Sequence, residues 1–123
     1  MPWYIYHYDN EILSLAGLFS QWVESASGEV YNTFSIVTTD ANDIMAEIHN
    51  SGKRMPAVLT KDAEAIWINS ETEPSAAHTL LKPASSDILK AHTISPLIND
   101  RNSNRNTPGL IRPHSYTKQN LLF

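Results

Sequence analysis

Runs of apolar and aromatic residues predict strands in the first part of the chain. Residues 3–8, Trp-Tyr-Ile-Tyr-His-Tyr, favour extended backbone. Asp9 and Asn10 form a turn signal, so the apolar run at residues 12–19 is interpreted as the return strand of a hairpin. Because that run is almost continuously apolar, it predicts burial on both faces, and Gly17 within it indicates a bulge or a close backbone approach.

Strands and helices alternate in the middle of the chain. They are predicted as a strand, a helix, a strand and a helix at residues 30–38, 40–49, 55–59 and 60–69. Thr39 or Asp40 is suited to cap the first helix and Thr60 the second, because their oxygens accept hydrogen bonds from free N–H groups. Both helices carry apolar residues at helical spacing, which predicts one face of each against the core.

Prolines interrupt the last third of the chain. The predicted elements are two short helices, an edge strand, a polar loop and a last strand, at residues 74–81, 85–92, 93–98, 99–108 and 110–113. Pro96 places the first of these strands at a sheet edge, since proline donates no ladder hydrogen bond. Taken together, the order of elements predicts an α+β fold with a mostly antiparallel sheet and short helices.

Length and composition indicate one globular domain. The chain has 123 residues, of which 41% are hydrophobic, and it contains no cysteine. This excludes disulfides, thiolate metal sites and a cysteine nucleophile within these residues. No apolar run approaches the ~20 residues that span a bilayer, and the first residues do not resemble a signal peptide. A cytoplasmic protein that does not enter membranes is therefore expected.

Charge is distributed unevenly. The net charge is −4, yet residues 1–98 hold five basic and twelve acidic side chains. Residues 99–123 carry Arg101, Arg105, Arg112 and Lys118 against Asp100 alone. A basic, asparagine-rich end can meet phosphates, whereas the alternative is a solvated tail.

His49 and Arg54 are the leading candidates for chemistry. His49 ends a predicted helix, where an imidazole can transfer protons or simply complement the helix terminus. Arg54 can pair with a phosphate, or form a surface salt bridge to Glu47 or Asp43. Thr38, at a strand end, is either a polar contact or a helix cap.

Other kinds of site are poorly supported by the sequence. The five histidines show no metal-ligand spacing, and four glycines do not form a phosphate loop, so neither metal nor cofactor is predicted. Trp3 and Trp22 are candidates for stacking on a base. The preferred interpretation, however, is that Trp22 and Trp67 lie in the core or in an interface.

Four segments, taken together and in order, carry a family resemblance. They are AGLFSQW, FSIVTTDAND, EIHN with KRMP, and ISPLIND with NTPGLIRP, within residues 16–22, 34–43, 47–56 and 94–113. They resemble the SRAP family, the SOS response associated peptidases. The resemblance implies a SRAP-like partial β-barrel, with residues 1–113 as the C-terminal portion of such a domain and residues 114–123 as a tail.

The resemblance also implies a function. SRAP proteins sense abasic sites in single-stranded DNA during the response to DNA damage, and their N-terminal cysteine attacks the ring-opened sugar to form a stable cross-link. A glutamate, an asparagine and a histidine assist. His49 matches that catalytic histidine, Thr38 matches a threonine that lines the DNA site, and Arg54 matches the arginine before Met-Pro.

The family's cysteine, asparagine and glutamate segments have no counterpart in this chain. A truncated or split form is therefore expected, with at most residual DNA binding and no activity alone. One alternative is a non-catalytic interaction module or inert fragment that self-associates through exposed sheet edges, or that pairs with a complementing N-terminal chain. Another is an independent small enzyme using His49 with Glu47 or Asp43.

Overall fold

All strands pair antiparallel and two by two in this computed structural model, which describes residues 1–49 and 51–117. The strands are β1 Trp3–His7, β2 Ser14–Leu15, β3 Gly17–Val23, β4 Val30–Ile36, β5 Thr38–Asp40, β6 Arg54–Pro56, β7 Val58–Leu59 and β8 Leu89–Thr93. The helices are α1 Asp43–Ile48, α2 Lys61–Ile68 and α3 Pro74–His78. Strand β1 pairs with β8, β2 with β7, β3 with β4 and β5 with β6. The predicted α+β class with antiparallel strands and short helices is confirmed.

Three of the four strand pairs meet at a ring of backbone hydrogen bonds. The Ala16 N–H donates to the Ala57 carbonyl at 2.8 Å, the Ala57 N–H to the Val37 carbonyl at 2.9 Å, and the Val37 N–H to the Ala16 carbonyl at 2.9 Å. Each of these residues separates two consecutive strands, so the chain bends there and changes its pairing partner. Ala16 and Ala57 have no exposed surface, and both belong to the hydrophobic core.

A small core lies beside this ring, under α2. Thr60 caps α2, as predicted, because its Oγ1 accepts a hydrogen bond from the Ala63 N–H at 3.4 Å. The buried members of the core and the partly buried residues packed on them are Ala16, Ala57, Leu59 and Ala63, with Val37, Trp67, Leu80 and Leu81. Trp67 thus packs against the core, as interpreted from the sequence, and its indole Nε1–H also donates to the Gly17 carbonyl at 3.0 Å.

The predicted hairpin between residues 3–8 and 12–19 is wrong. Strand β1 pairs instead with β8, in a register that places Trp3 opposite Thr93. Residues 12–19 divide at the buried Ala16 into β2 and the start of β3, which pair with different partners. This long-range pairing also explains why the helix predicted at residues 85–92 is wrong: after one 3-10 turn at Ser86–Ile88 the chain extends to complete the sheet.

Two predicted C-terminal strands are also wrong. The strand predicted at residues 93–98 ends at Thr93, and a 3-10 turn follows at Pro96–Asn99. The strand predicted at residues 110–113 is largely replaced by a 3-10 turn at Pro108–Ile111. Both turns begin with proline, whose fixed φ suits the first position of a helical turn and whose nitrogen has no hydrogen to leave unpaired.

Strands β3 and β4 form a hairpin with little cover. Every residue of both strands is exposed, including Phe19 at 88% and Phe34 at 81%. The predicted burial of residues 12–19 on both faces is therefore wrong: within this segment only Ala16 is buried, and Ile12 is 89% exposed. Gly17 has ordinary surroundings, since an added Cβ would lie 3.5 Å from the Ser35 carbonyl oxygen.

The segment after the last 3-10 turn lies beside the end of β8. The His114 N–H donates to the Thr93 carbonyl at 2.9 Å, and the Tyr116 hydroxyl donates to the Ile94 carbonyl at 2.7 Å. Of the tail predicted at residues 114–123, residues 118–123 lie outside the described residues, as does Asn50 of the loop after α1. The domain boundary at residue 113 stays a prediction. Within the described residues, no helix has both the length and the apolarity needed to cross a bilayer.

Candidate nucleic-acid interface

Thr38 and Arg54 lie on the same face of the β5–β6 pair. In the antiparallel register Arg54 is opposite Asp40, and Thr38 is opposite Pro56. Side chains two residues apart on a strand share a face, so Thr38 is the diagonal neighbour of Arg54. Both side chains are exposed, and both strands join the hydrogen-bonded ring through Val37 and Ala57. The two side chains are therefore carried on strands that continue directly from the hydrogen-bonded ring.

The Arg54 guanidinium is held by Thr38. Its Nε donates to the Thr38 Oγ1 at 3.0 Å, and its Nη2 donates to the same oxygen at 2.8 Å and to the Thr38 carbonyl at 2.9 Å. Nη1 makes no hydrogen bond within the described residues. A guanidinium has five N–H donors in a plane, so Thr38 fixes the group while leaving donors for another acceptor.

The alternative salt bridge from Arg54 to Glu47 or Asp43 is wrong for the described residues. There the single ion pair is Lys61 with Glu64, at 3.4 Å. Arg54 therefore keeps its charge uncompensated by a direct carboxylate contact. An oriented, exposed and unpaired guanidinium is the arrangement that suits an anionic ligand such as a phosphate.

His49 forms the C-terminal cap of α1 with its backbone. Its N–H donates to the Met45 carbonyl at 2.8 Å, and its side chain is exposed. The imidazole lies against Gly52, since a Cβ built on that glycine would be 2.9 Å from the His49 Nε2. Glycine at position 52 thus leaves the room that the ring occupies.

A short loop connects His49 to Arg54, and backbone hydrogen bonds hold it. The Lys53 N–H donates to the His49 carbonyl at 3.3 Å, and the Lys53 carbonyl accepts from the Ala41 N–H at 2.9 Å. Lys53 has a φ of 45°, a left-handed conformation that closes the turn before β6. His49 and Arg54 therefore flank one loop, although no hydrogen bond joins the imidazole to Arg54 or Thr38 in the described residues.

Asn42 supports this region, and the sequence reasoning missed it. The cap of α1 is not Thr39 or Asp40, because both belong to β5; instead the Asn42 Oδ1 accepts from the Met45 N–H at 3.0 Å. Asn42 is buried, and its Nδ2 donates to the Ala84 carbonyl at 2.9 Å. The sequence did carry a signal for this cap: an asparagine stands directly before an acidic residue, Asp43, and the apolar residues of the helix follow. Thr38 also belongs to β5, so the alternative interpretation of Thr38 as a helix cap is wrong as well.

The basic C-terminal stretch forms an exposed loop, as predicted for residues 99–108. Asp100 organises it: its carboxylate accepts from the Ser103 hydroxyl and from the Asn102 N–H, and these hydrogen bonds lower the pKa of Asp100. Arg105 donates from Nη1 to the Ile98 carbonyl at 3.3 Å. Contact of this loop with phosphates stays a prediction.

Known proteins match this chain over most of its length. The family model for SOS response associated peptidase (SRAP) matches residues 1–101. The abasic site processing protein YoqW of Bacillus subtilis is 34% identical over 106 residues, and the mouse abasic site processing protein HMCES is 35% identical over 109 residues. A crystal structure of a Bacteroides thetaiotaomicron protein superposes with a TM-score of 0.84 at 34% identity, covering 93% of this chain.

The matched relatives are considerably longer than these 123 residues. The match covers 85% of this chain but 45% of YoqW, and 86% of this chain but 29% of HMCES. It covers 48% of the Bacteroides thetaiotaomicron chain. With a family model matching residues 1–101 and a shared fold, the chain belongs to the SOS response associated peptidase (SRAP) family.

Proposed function

We propose that this chain binds single-stranded DNA at an abasic site, reversibly, and that Arg54 contacts a backbone phosphate there. The observation that carries the proposal is the Thr38 cradle, which orients an exposed guanidinium with no carboxylate partner in the described residues. The relatives YoqW and HMCES are abasic site processing proteins, and the matches to them cover more than four-fifths of this chain.

Phosphate is the acceptor that best fits the geometry. The Nη1 group has two N–H donors with no acceptor in the described part of the chain, while Nε and Nη2 are directed to Thr38. A phosphate oxygen that accepts from Nη1 would form a charge-assisted hydrogen bond, which is stronger than one between neutral groups. Phosphate contacts position a protein on nucleic acid without reading its sequence.

His49 is the proposed proton-transfer group beside the lesion. An abasic sugar opens to an aldehyde, and an imidazole can donate a proton to its oxygen or accept one from a neighbouring hydroxyl. The exposed imidazole and Arg54 are separated by one short loop, so a single strand of DNA can contact both groups. No thiol exists among the 123 residues, so a thiol cross-link by this chain is not proposed. The cytoplasmic location stays a prediction.

The test compares single-stranded DNA carrying one abasic site with the same strand carrying an intact base, by fluorescence anisotropy over a series of salt concentrations. The variant is Arg54→Gln, and Lys61→Gln is the matched control because it removes the same charge on α2. We expect Arg54→Gln to weaken binding about 10- to 100-fold, as hydrogen bonds to charged groups contribute about 1.5–3 kcal/mol. The slope of log K against log salt should fall in magnitude by about 0.7, the value for one phosphate on a single strand.

Three results would overturn the proposal. Equal loss in Arg54→Gln and Lys61→Gln would show a non-specific charge effect. Failure of the folded protein to bind DNA at low salt would remove the DNA function. An adduct resistant to denaturing detergent would show covalent chemistry in place of reversible binding.

A further inference from the structure

We propose that the β3–β4 hairpin is a docking surface for the part of a SRAP domain that lies outside these 123 residues. The proposal goes beyond DNA binding and does not depend on it. It rests on the hairpin's two apolar faces, its two open edges and the extent of the structural match.

The first face is an apolar band. Residues directly opposite in the register share a face, and here they are Phe19 with Phe34 and Val23 with Val30. Their exposed fractions are 88% and 81% for the phenylalanines and 55% and 54% for the valines. Between the two pairs, Gln21 and Asn32 hydrogen-bond to each other at 3.2 Å, so the polar centre of this band already has internal partners. Two exposed apolar pairs on one face, separated only by a polar pair whose side chains bond to each other, are typical of an interaction site.

The second face and the strand edges are open as well. Trp22 is 54% exposed and lies against Tyr31 of β4, with ring centroids 5.6 Å apart, and Leu18 is exposed on the same face. Within the described residues β3 and β4 pair only with each other, so each has an outer edge with free backbone groups. An isolated two-stranded hairpin is marginal in water, and open edges accept additional strands. A partner that adds strands and covers both faces would therefore stabilise it.

An adjacent groove extends the surface. Its volume is about 700 Å³, and it lies between the start of β3 and helices α2 and α3. Leu18 and Phe19 form one wall, and Trp67, Ile68 and Ala77 form another. The groove is thus continuous with the apolar hairpin and offers a seat for side chains of the same partner.

The complementary part of a SRAP domain fits these features better than other occupants. The Bacteroides thetaiotaomicron chain shares this fold over 93% of the present chain, yet the match uses 48% of it, so about half of that protein is available to cover shared surfaces. A second copy would use the same patch on both subunits, and a homodimer is therefore the competing outcome of the test. Nucleic acid is disfavoured, because residues 17–36 include Glu24 and Glu29 and no basic side chain.

The experiment is co-expression of this chain with a tagged segment, namely the part of the Bacteroides thetaiotaomicron protein that lies outside the match. Co-purification and analytical ultracentrifugation report the complex. We expect a one-to-one complex, and we expect Phe19→Ser with Phe34→Ser to weaken it about 10- to 100-fold, as central aromatic residues dominate interfaces. Ile12→Ser is the matched control, because Ile12 is 89% exposed and lies off the hairpin.

If the separate segment is insoluble, the same segment is fused covalently to this chain, and the test remains decisive. Amide hydrogen exchange at residues 17–36 is then compared between the chain alone and the fusion, and slower exchange in the fusion supports the proposal. Unchanged exchange, a folded chain that remains monomeric beside the soluble segment, or a homodimer broken by the double phenylalanine variant would each overturn it. None of these readouts uses DNA, so loss of DNA binding by itself leaves this proposal standing.

Discussion

The Thr38 hydroxyl accepts hydrogen bonds from both Nε and Nη2 of Arg54, at 3.0 and 2.8 Å. Asp40 is directly opposite Arg54 in the strand register, yet the guanidinium extends diagonally to the neutral threonine. The hydroxyl fixes the direction of the cation without neutralising it. The positive charge therefore remains available to an anion that approaches from solvent.

Thr38→Val should weaken DNA binding with no change in net charge. The substitution nearly preserves shape but removes the hydroxyl that accepts from Nε and Nη2 of Arg54, so only the hydrogen bond to the backbone carbonyl of residue 38 remains and the guanidinium is less ordered before DNA binds. Ordering one long side chain costs about 0.5–1.5 kcal/mol, which predicts about 2- to 10-fold weaker binding. Anisotropy with abasic single-stranded DNA measures the effect.

The matched control for that prediction is Thr39→Val, on the opposite face of β5. The threonine-to-valine change is the same there, but Thr39 makes no hydrogen bond to Arg54. Equal binding by the two variants would show that orientation of Arg54 does not contribute. The double variant Thr38→Val with Arg54→Gln should bind DNA no more weakly than Arg54→Gln alone, because both changes act on the same contact between Arg54 and DNA.

Gly52→Ala should move the His49 ring. A methyl group at position 52 would lie 2.9 Å from the Nε2 atom, which is too close, so the exposed imidazole must rotate away. We expect a change in the His49 ring chemical shifts and a change of about 0.5 kcal/mol or less in the free energy of unfolding. Gly109→Ala is the control, since nothing lies within 4 Å of its added Cβ. Unchanged His49 shifts would contradict the placement of the ring.

Ala57→Val should destabilise the fold at the hydrogen-bonded ring. Ala57 has no exposed surface and donates and accepts within the ring, so two additional methyl groups would push the converging backbones apart. Overpacking of this kind costs about 1–3 kcal/mol in the free energy of unfolding, measured by chemical denaturation. Ala26→Val, in the exposed turn between β3 and β4, should change it by about 0.5 kcal/mol or less. Equal effects at both sites would argue against a tightly packed ring.

Ser14→Ala should raise the pKa of Glu64 towards its ordinary value of 4.5. The Ser14 hydroxyl donates to Glu64 at 2.7 Å and lowers the carboxyl pKa, with a smaller contribution from Lys61. Because the folded-state pKa is lowered, the associated stability is present above the unfolded value and is lost as pH falls through the folded value. The stability difference between the parent chain and Ser14→Ala should therefore shrink below about pH 4.5.

Carboxyl titration by NMR measures the Glu64 pKa in each variant. Ser70→Ala is the control, because Ser70 donates to Glu71 and leaves Glu64 untouched. An unchanged Glu64 titration in Ser14→Ala would show that the hydroxyl does not contribute in solution.

Local signals predicted α2 well but misplaced the cap of α1, and long-range pairing limited the prediction of strands. Thr60 and the apolar spacing after it placed α2 within about a residue, since capping is a local interaction. Residues 85–92 follow Pro83 and resemble a short helix, but the second half of this segment pairs with β1, which lies more than 80 residues away in the sequence. Nothing in the local pattern specifies that partner.

The candidate site shows the same difference between what local motifs predict and what long-range strand pairing determines. Thr38, His49 and Arg54 were identifiable from motifs, yet their contacts depend on the register of β5 and β6. The strand predicted at residues 30–38 is rich in apolar residues, but apolar content alone does not reveal which surfaces remain uncovered. Phe34 at 81% exposure is the clearest example.

The pairing of Trp3 with Thr93 has a consequence for how the molecule forms during translation. At roughly 5–20 residues per second, about 4–17 s separate the synthesis of β1 from that of β8. For that interval an aromatic strand has no sheet partner on the nascent chain, while the ring around Ala16, Val37 and Ala57 can already close. The order of synthesis thus favours a central nucleus first and the joining of the two end segments last.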